Sequence, residues 1–243
     1  MSDQAAEQNE LLRALSPDEY GRLSPLLESV QFKQGDIVVQ ANGELDAIWF
    51  PRDAVLSMMV VVKRSPPTES ATIGREGYLG FPLLAGSRLS GELCVVQVPG
   101  ECARLSIAAW HEHIAFSDSD MQALLLRAGL MLFEQMAQTI ACNRRHSVAQ
   151  RCARWLLMTH DRAGIDRFAL THEFLSRMLG TRRATVTVAA AALQKAGLIE
   201  YSRGRITVRD RAGLELAACE CYTDVNVRAE RIRREGDALV LAR

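Results

Sequence analysis

The sequence predicts an α+β fold in two domains: an N-terminal antiparallel β jelly roll, a long central helix, and a C-terminal helix pair closed by a β-hairpin. Three observations carry this reading. Short β-branched runs separated by turn signals fill residues 30–107. An apolar helical pattern begins near residue 118. Residues 171–208 then pass through a capped helix, a glycine turn, a second helix and a hairpin. At 243 residues the chain is long for one domain and comfortable for two, each able to bury its own core. With 48% hydrophobic and 24% charged residues, the composition is that of a globular protein and excludes disordered and fibrous classes.

Residues 8–29, "QNELLRALSPDEYGRLSPLLES", read as two short helices broken at Ser16-Pro17, because proline is tolerated in a helix's first turn. The strands that follow are "IVVQ", "AIWF", "VLSMMVVVK", "CVVQV" and "ARLSI". Gly35-Asp36, Asn42-Gly43, Pro66-Pro67, Gly86-Ser87 and Pro99-Gly100 separate them as turns. That spacing suits an antiparallel sandwich or jelly roll.

The central helix, "DSDMQALLLRAGLMLFEQMAQTIA", can be capped by Ser117 or Ser119. Met121, Leu125, Ala128, Leu132, Met136 and Ile140 recur at roughly helical spacing and are assigned as the dimerisation seam. Leu124, Leu126, Leu130 and Met131 widen the stripe beyond what one core face needs, so a second copy of the chain is the expected partner. A further helix, residues 147–160, turns Val148, Cys152, Trp155, Leu156 and Met158 inward, and Gly164 ends a short loop after it.

Thr171 stands where an N-cap belongs, with Glu173 in the first turn and Leu170 placed to staple onto Leu175. Phe174, Leu175 and Met178 face inward; Gly180 breaks the helix, and a second one runs through four alanines to Gly197. In that second helix Val186, Ala189, Ala190 and Leu193 form the buried stripe, leaving Arg182, Arg183, Thr185 and Thr187 exposed at its N-terminal end. Such a pair is a helix-turn-helix, whose second helix enters a DNA major groove. Free backbone N–H groups at a helix start attract phosphate, and an arginine there can grip guanine O6 and N7. "LIEYSRGRITVRD" then reads as a hairpin with a basic tip, a wing whose Arg203 and Arg205 meet the phosphate backbone. Thr171, Arg182, Arg183, Thr185, Thr187, Arg203 and Arg205 are the candidate DNA-contacting residues.

Charge distribution agrees. The formal net charge is zero, yet residues 1–142 carry 10 Lys and Arg against 18 Asp and Glu, while residues 143–243 carry 19 against 11. The second half is therefore expected to meet a polyanion, double-stranded DNA. The polar, acidic N-terminal text "MSDQAAEQNE" and the lack of a long apolar run support neither a secretory signal nor a membrane span, so the expected location is cytoplasmic. Six cysteines occur without a C-x-x-C pair; only Cys219 and Cys221 are close, as C-x-C. They are read as reduced structural thiols, with no metal and no cofactor expected. Gly74, Gly77 and Gly80 match no nucleotide-loop pattern, and no enzymatic constellation emerges.

The stretch "LTHEFLSRMLGTRRATVTVAAAALQKAGLIEYSRGRITVRDRAGLE" resembles the DNA-binding domain of the catabolite-activator and fumarate-nitrate regulator (Crp/Fnr) family. "GREGYLGFPLLAG", the jelly-roll pattern, the long helix and "SVAQRCARWLL" follow in family order, so the resemblance covers nearly the whole chain. It implies a homodimeric, sequence-specific transcription regulator that recruits or blocks RNA polymerase. It also implies a cyclic-nucleotide-binding-like sensory jelly roll with N-terminal helices over residues 1–117, a dimerisation helix over 118–142, and a winged helix-turn-helix with a C-terminal helix over 143–243. The effector, unknown, would fall at Gly80, Phe81, Leu83, Leu84 and Arg88.

The match has departures. The family's reading helix often carries an Arg-Glu pair and a second Arg; here Arg183 matches, but Ala184 and Val188 replace the other two, which implies a different target sequence. Members that bind cyclic AMP hold its phosphate with a Gly-Glu-Leu turn and a following Arg. Phe81 occupies the Glu position in one alignment, and Arg104 comes late after Gly91-Glu92-Leu93 in the other. A cyclic phosphate would then be buried without a cation, so cyclic AMP is not the expected effector. An iron–sulfur sensor needs four thiolates, and no cysteine precedes residue 94; His111 and His113 in "WHEH" read as surface rather than haem ligands. Two rival classes remain, a ligand-sensing protein-interaction module and an enzyme regulatory subunit.

Overall fold

A computed structural model describes residues 3–114 and 120–241; the expected caps Ser117 and Ser119 lie outside them. The chain divides into two compact units, residues 1–58 with 73–132, and residues 59–72 with 133–243.

The first unit opens with α1 (Glu10–Arg13) and α2 (Pro17–Leu23). Asn9 caps α1 by accepting from the N–H groups of Leu11 and Leu12. Its Nδ2 donates to the carbonyls of Pro51 and Gly77 at 2.9 and 3.1 Å, so one buried amide ties the helix to two turns of the roll. Ser16 caps α2 with Pro17 in its first turn, as the Ser-Pro pair requires. The strands are β1 (Leu27–Phe32), β2 (Ile37–Val39), β3 (Ala47–Pro51), β4 (Val55–Val60), β5 (Thr68–Ile73), β6 (Leu93–Val98) and β7 (Gly100–Ser106). A short α3 (Phe81–Leu84) precedes β6, and α4 (Ile107–His113) follows β7.

Two antiparallel sheets result, ordered β1-β7-β3 and β2-β6-β4-β5. Ile48, Phe50, Leu56, Val96 and Leu105 of these strands are fully buried in one core, which Leu12 of α1 joins. Residues 27–29, which the sequence reads as helix, begin β1 instead. Glu28, Ser29 and Gln31 hide the strand's period, but the pairing of Val30 with Cys102 and of its neighbours along β7 fixes it. Strand β5 was hidden in the same way by Thr68, Glu69 and Ser70.

The long helix is α5 (Asp120–Arg145). Its expected dimerisation stripe needs correction. Met121, Leu125 and Ala128 are buried in the first unit's own core, where Tyr78 Oη also donates to the Leu125 carbonyl at 3.0 Å. Leu132 and Met136 are half-buried, and Ile140 alone of the six is exposed, at 74%. A second apolar row lies on the exposed side: Leu126, Leu130, Phe133, Ala137 and Ile140. These alternate in steps of four and three, the 3.5-residue period of a coiled-coil seam. Of the stripe found in the sequence, Met121, Leu125 and Ala128, with the partly buried Leu132, are the part that packs into the first unit's core.

The second unit contains α6 (Val148–Ala163), β8 (Arg167–Ala169), α7 (His172–Met178), α8 (Arg183–Lys195), β9 (Ile199–Ser202), β10 (Arg205–Val208), α9 (Arg211–Ala217) and α10 (Cys221–Leu241). Ser147 and Gln150 form a reciprocal capping box at the start of α6, and Gly164 ends it at φ 65°. Helix α6 is buried on most sides, with Cys152, Ala153, Trp155, Leu156 and Leu157 at 5% exposure or less. It therefore forms the centre of this unit. The strands β4 and β5 carry their far ends into the same unit: Gln135 of α5 reads the backbone of Thr72, donating to its carbonyl at 3.0 Å and accepting from its N–H at 2.9 Å.

Candidate nucleic-acid interface

Helices α7 and α8 are joined by Leu179-Gly180-Thr181-Arg182. Gly180 adopts φ 55°, and a Cβ there would stand 2.8 Å from Thr68 Cγ2, so both conformation and space demand glycine. Thr171 Oγ1 accepts from the Phe174 N–H at 3.1 Å, the expected cap, and Leu170 and Leu175 are both buried beside it. Val186, Ala189, Ala190 and Leu193 are buried at 5% exposure or less, so α8 is seated by the stripe read from its sequence.

That seating decides what α8 presents. Arg182, Arg183, Ala184, Thr185 and Val188 are exposed, Val188 at 71%. Arg182 is the N-cap and its side chain makes no capping hydrogen bond, which leaves the first amide hydrogens of α8 to solvent or phosphate. Among the described residues no carboxylate is ion-paired with Arg182, Arg183, Arg203 or Arg205. The hairpin β9-β10 turns through Arg203 at φ 50° and Gly204 at φ 72°, the two left-handed residues of a type I′ turn. Its two arginines therefore sit at the tip, both exposed. Strand β8 completes the sheet in the order β8-β10-β9; at three residues it is too short to be read from periodicity.

Hydrogen bonds and one ring stack fix these pieces to one another. The Leu170 N–H donates to the Gly204 carbonyl at 2.8 Å, and a Cβ on Gly204 would stand 3.8 Å from Thr171 Cγ2, so the wing tip lies against the start of α7. His172 stacks on Tyr201 of β9 with ring centroids 4.3 Å apart and meets Thr187 Oγ1 of α8 through Nδ1 at 3.0 Å. Thr187 has one hydroxyl hydrogen, given to the Arg183 carbonyl at 3.0 Å, so Nδ1 carries the proton and donates. Burial and then the Arg183 charge hold the imidazole's pKa below its ordinary value, which keeps the ring neutral in this role. Thr187, expected to contact DNA, stays exposed but commits its hydroxyl hydrogen to the Arg183 carbonyl. His172 was not singled out in the sequence; its place two residues before Phe174 gave no sign of a connecting role.

Not all the positive charge of the second half faces this surface. On α10, Arg228 pairs with Glu134, Arg231 with Glu235, and Arg234 with Glu230, at 3.2, 2.7 and 2.8 Å. Arg209 is likewise paired with Glu200 on the sheet, whose carboxyl it holds below the usual carboxylate range. Among the described residues, Arg182, Arg183, Arg203 and Arg205 carry no such partner, and neither do the exposed Arg144, Arg145 and Arg167 elsewhere in this half.

The expected effector residues lie on α3 and just before and after it. Gly80 takes φ 135° before α3, Phe81 is exposed, Leu83 is buried, and Arg88 pairs with Glu44 at 3.1 Å. Leu83 and Leu84 line a cavity of about 150 Å³ with Trp110, His111 and Gln122. That is below the roughly 300–1,000 Å³ of ordinary ligand pockets. Arg104 is engaged by Glu28 and Asp46, both at 2.9 Å, and lies over the Trp49 ring. The cysteines, of which only Cys219 and Cys221 are close in sequence, are partly gathered: Cys142 joins that pair in one buried cluster.

Comparison with known proteins places this geometry. Residues 150–217 match the family model of the Crp-like helix-turn-helix domain. A Crp/Fnr-family transcriptional regulator from Eubacterium rectale superposes with a TM-score of 0.65 at 18% identity, covering 86% of this chain and 97% of that one. FixK2 from Bradyrhizobium japonicum gives 0.66 at 12% identity over 79% and 98%. A Crp/Fnr-family regulator from Thermus thermophilus gives 0.63 at 18% identity over 79% and 98%. No curated protein sequence matches the chain. Among the described residues no helix is long and apolar enough to cross a membrane. Residues 150–217 are thus a Crp-like helix-turn-helix domain, carried in a chain with the fold of the Crp/Fnr transcriptional regulators.

Proposed function

We propose that the protein is a sequence-specific DNA-binding transcription regulator that acts as a homodimer in the cytoplasm and has no catalytic activity of its own. The observation that carries this reading is the start of α8: two exposed arginines without ion-pair partners and a free set of amide hydrogens, on a helix held by a fully apolar underside. Arg183 and Thr185 read base edges, Val188 meets a thymine methyl, and Arg203 and Arg205 grip phosphates beside the groove. Thr171 stands with the wing tip and serves the same backbone contact. A second copy joins along Leu126, Leu130, Phe133, Ala137 and Ile140, placing the two reading helices about 34 Å apart on a roughly palindromic site. RNA polymerase is the partner that regulators of this fold address, and the effector of the β roll has no residue set that names it.

The test is a salt-titrated mobility shift on a pool of random duplexes, followed by selection. Recovery of a two-fold-related sequence, with affinity falling steeply with salt, supports the reading. A protein that shows no salt-dependent retention of duplex belongs instead to the protein-interaction class.

A further inference from the structure

Cys142 lies in the last turn of α5, His146 just beyond it, and Cys219 and Cys221 flank the start of α10. One donor atom from each of these four residues lies within 4.8 Å of all the others. The three cysteines are 3% exposed or less, and the imidazole is half-buried at their edge. We propose that these four side chains bind one zinc ion through three thiolates and an imidazole nitrogen.

The distances suit a single ion. A tetrahedron with Zn–S bonds near 2.3 Å and Zn–N bonds near 2.0 Å has edges of about 3.8 Å between sulfurs and about 3.5 Å from sulfur to nitrogen. Cys142 Sγ stands 3.5 Å from Cys219 Sγ, and Cys221 Sγ stands 3.5 Å from His146 Nδ1. An iron–sulfur cluster interposes bridging sulfides and needs its thiolates spread more widely than this. Soft thiolates with one imidazole, in a tetrahedral set without an open position, select zinc among the common divalent ions.

The surroundings are those of a metal site rather than of thiols packed as small apolar groups. With Nδ1 facing the sulfurs, His146 Nε2 meets Glu220 Oε1 at 3.1 Å, the carboxylate that orients a ligating imidazole. Gln138 donates from Nε2 to Cys221 Sγ at 3.0 Å, a hydrogen bond that favours a thiolate acceptor. Three thiolates and a divalent ion leave one net negative charge in a buried place. Arg151 and Arg154 of α6 act electrostatically on Cys142, and each has a buried Nε without a hydrogen-bond partner. Their terminal nitrogens are held by other acceptors, Arg151 donating to the Asn143 and Leu179 carbonyls and Arg154 to Thr139 Oγ1, so both positive charges are fixed beside the cluster.

The ion would join the segment entering the helix-turn-helix domain to the segment leaving it, since Cys142 and Cys219 are 77 residues apart and bracket residues 150–217. This is a staple across a long chain loop, of the kind that couples metal binding to folding. It stands apart from the DNA-binding reading, because its measurements use metal and protein only.

The test is to strip the full-length protein under reducing conditions and titrate it with cobalt(II), a visible surrogate for zinc. The expected result is one cobalt per chain, sulfur-to-cobalt charge transfer in the near ultraviolet, tetrahedral d–d bands in the red, and displacement of all of these by zinc. His146→Ala, which removes a half-buried side chain, is expected to weaken the metal at least about tenfold, and Glu220→Gln roughly tenfold. Zinc should also raise the melting temperature of the wild type and not that of Cys221→Ser. A wild-type protein that shows no charge-transfer band overturns the proposal. So does unchanged metal affinity in both His146→Ala and Cys221→Ser, or a protein isolated with iron and inorganic sulfide, or with a Cys142–Cys219 disulfide, in place of zinc.

Discussion

Trp155 donates from Nε1 to Glu69 Oε1 at 2.8 Å, and both side chains are buried. Glu69 belongs to β5 and Trp155 to the central helix of the second unit, so this bond holds the end of the β4-β5 hairpin onto α6. Replacing Glu69 by Ala leaves the indole N–H buried without an acceptor, at a cost of about 1–3 kcal/mol. Glu69→Gln keeps an acceptor and should lose less. Urea denaturation of the two variants decides; equal losses would mean that the bond is not what holds the hairpin.

A second expectation concerns pH. Glu7 is buried, which alone would raise its pKa, but hydrogen bonds from Arg52 and the Asn9 N–H, with the Arg52 charge, outweigh burial and hold it low. Arg52 is correspondingly held well above its ordinary value by Glu7 and Glu101. A depressed folded-state carboxyl contributes stability that is fully present above its unfolded value, about 4.3, and is lost as pH falls through the lower folded value. The wild type should therefore lose more stability than Glu7→Gln on going from about pH 5 to pH 3. Parallel urea midpoints across that range would contradict this.

Oligomeric state separates the two faces of α5. Phe133→Glu or Leu130→Glu places a charge in the 3.5-period row and should give a folded monomer in sedimentation. Met121→Ala should instead cost about 2–5 kcal/mol of stability and leave the dimer intact. If Phe133→Glu remains dimeric at micromolar concentration, the seam lies elsewhere.

The helix-turn-helix was legible because each of its signals is local: a threonine cap, a left-handed glycine, an apolar row at helical spacing, and a Gly turn between short strands. Which apolar row of α5 is buried was not legible, because the helix has apolar rows on two sides and the sequence does not say which one packs into the core. Strands β1 and β5 were hidden by polar residues at positions that only pairing makes strand-like. The gathering of Cys142, His146, Cys219 and Cys221 depends on chain return over 77 residues, and only the C-x-C pair left a trace in the sequence. His172 was missed for the same reason, since its partners Thr187 and Tyr201 come from two later elements.

The wing and the reading helix should separate in their salt behaviour. Arg203→Ala and Arg205→Ala are each expected to weaken binding to all duplexes alike and to reduce the slope of log affinity against log salt by about one. A loss confined to one sequence would assign base reading to the wing.

The most direct test of the reading helix is the affinity of Arg183→Ala for the selected duplex and for random duplex, measured at one salt concentration. Specific binding should weaken by about 1–3 kcal/mol while binding to random duplex stays nearly unchanged. An equal loss on both, or no loss on either, would contradict a base-reading role for the start of α8.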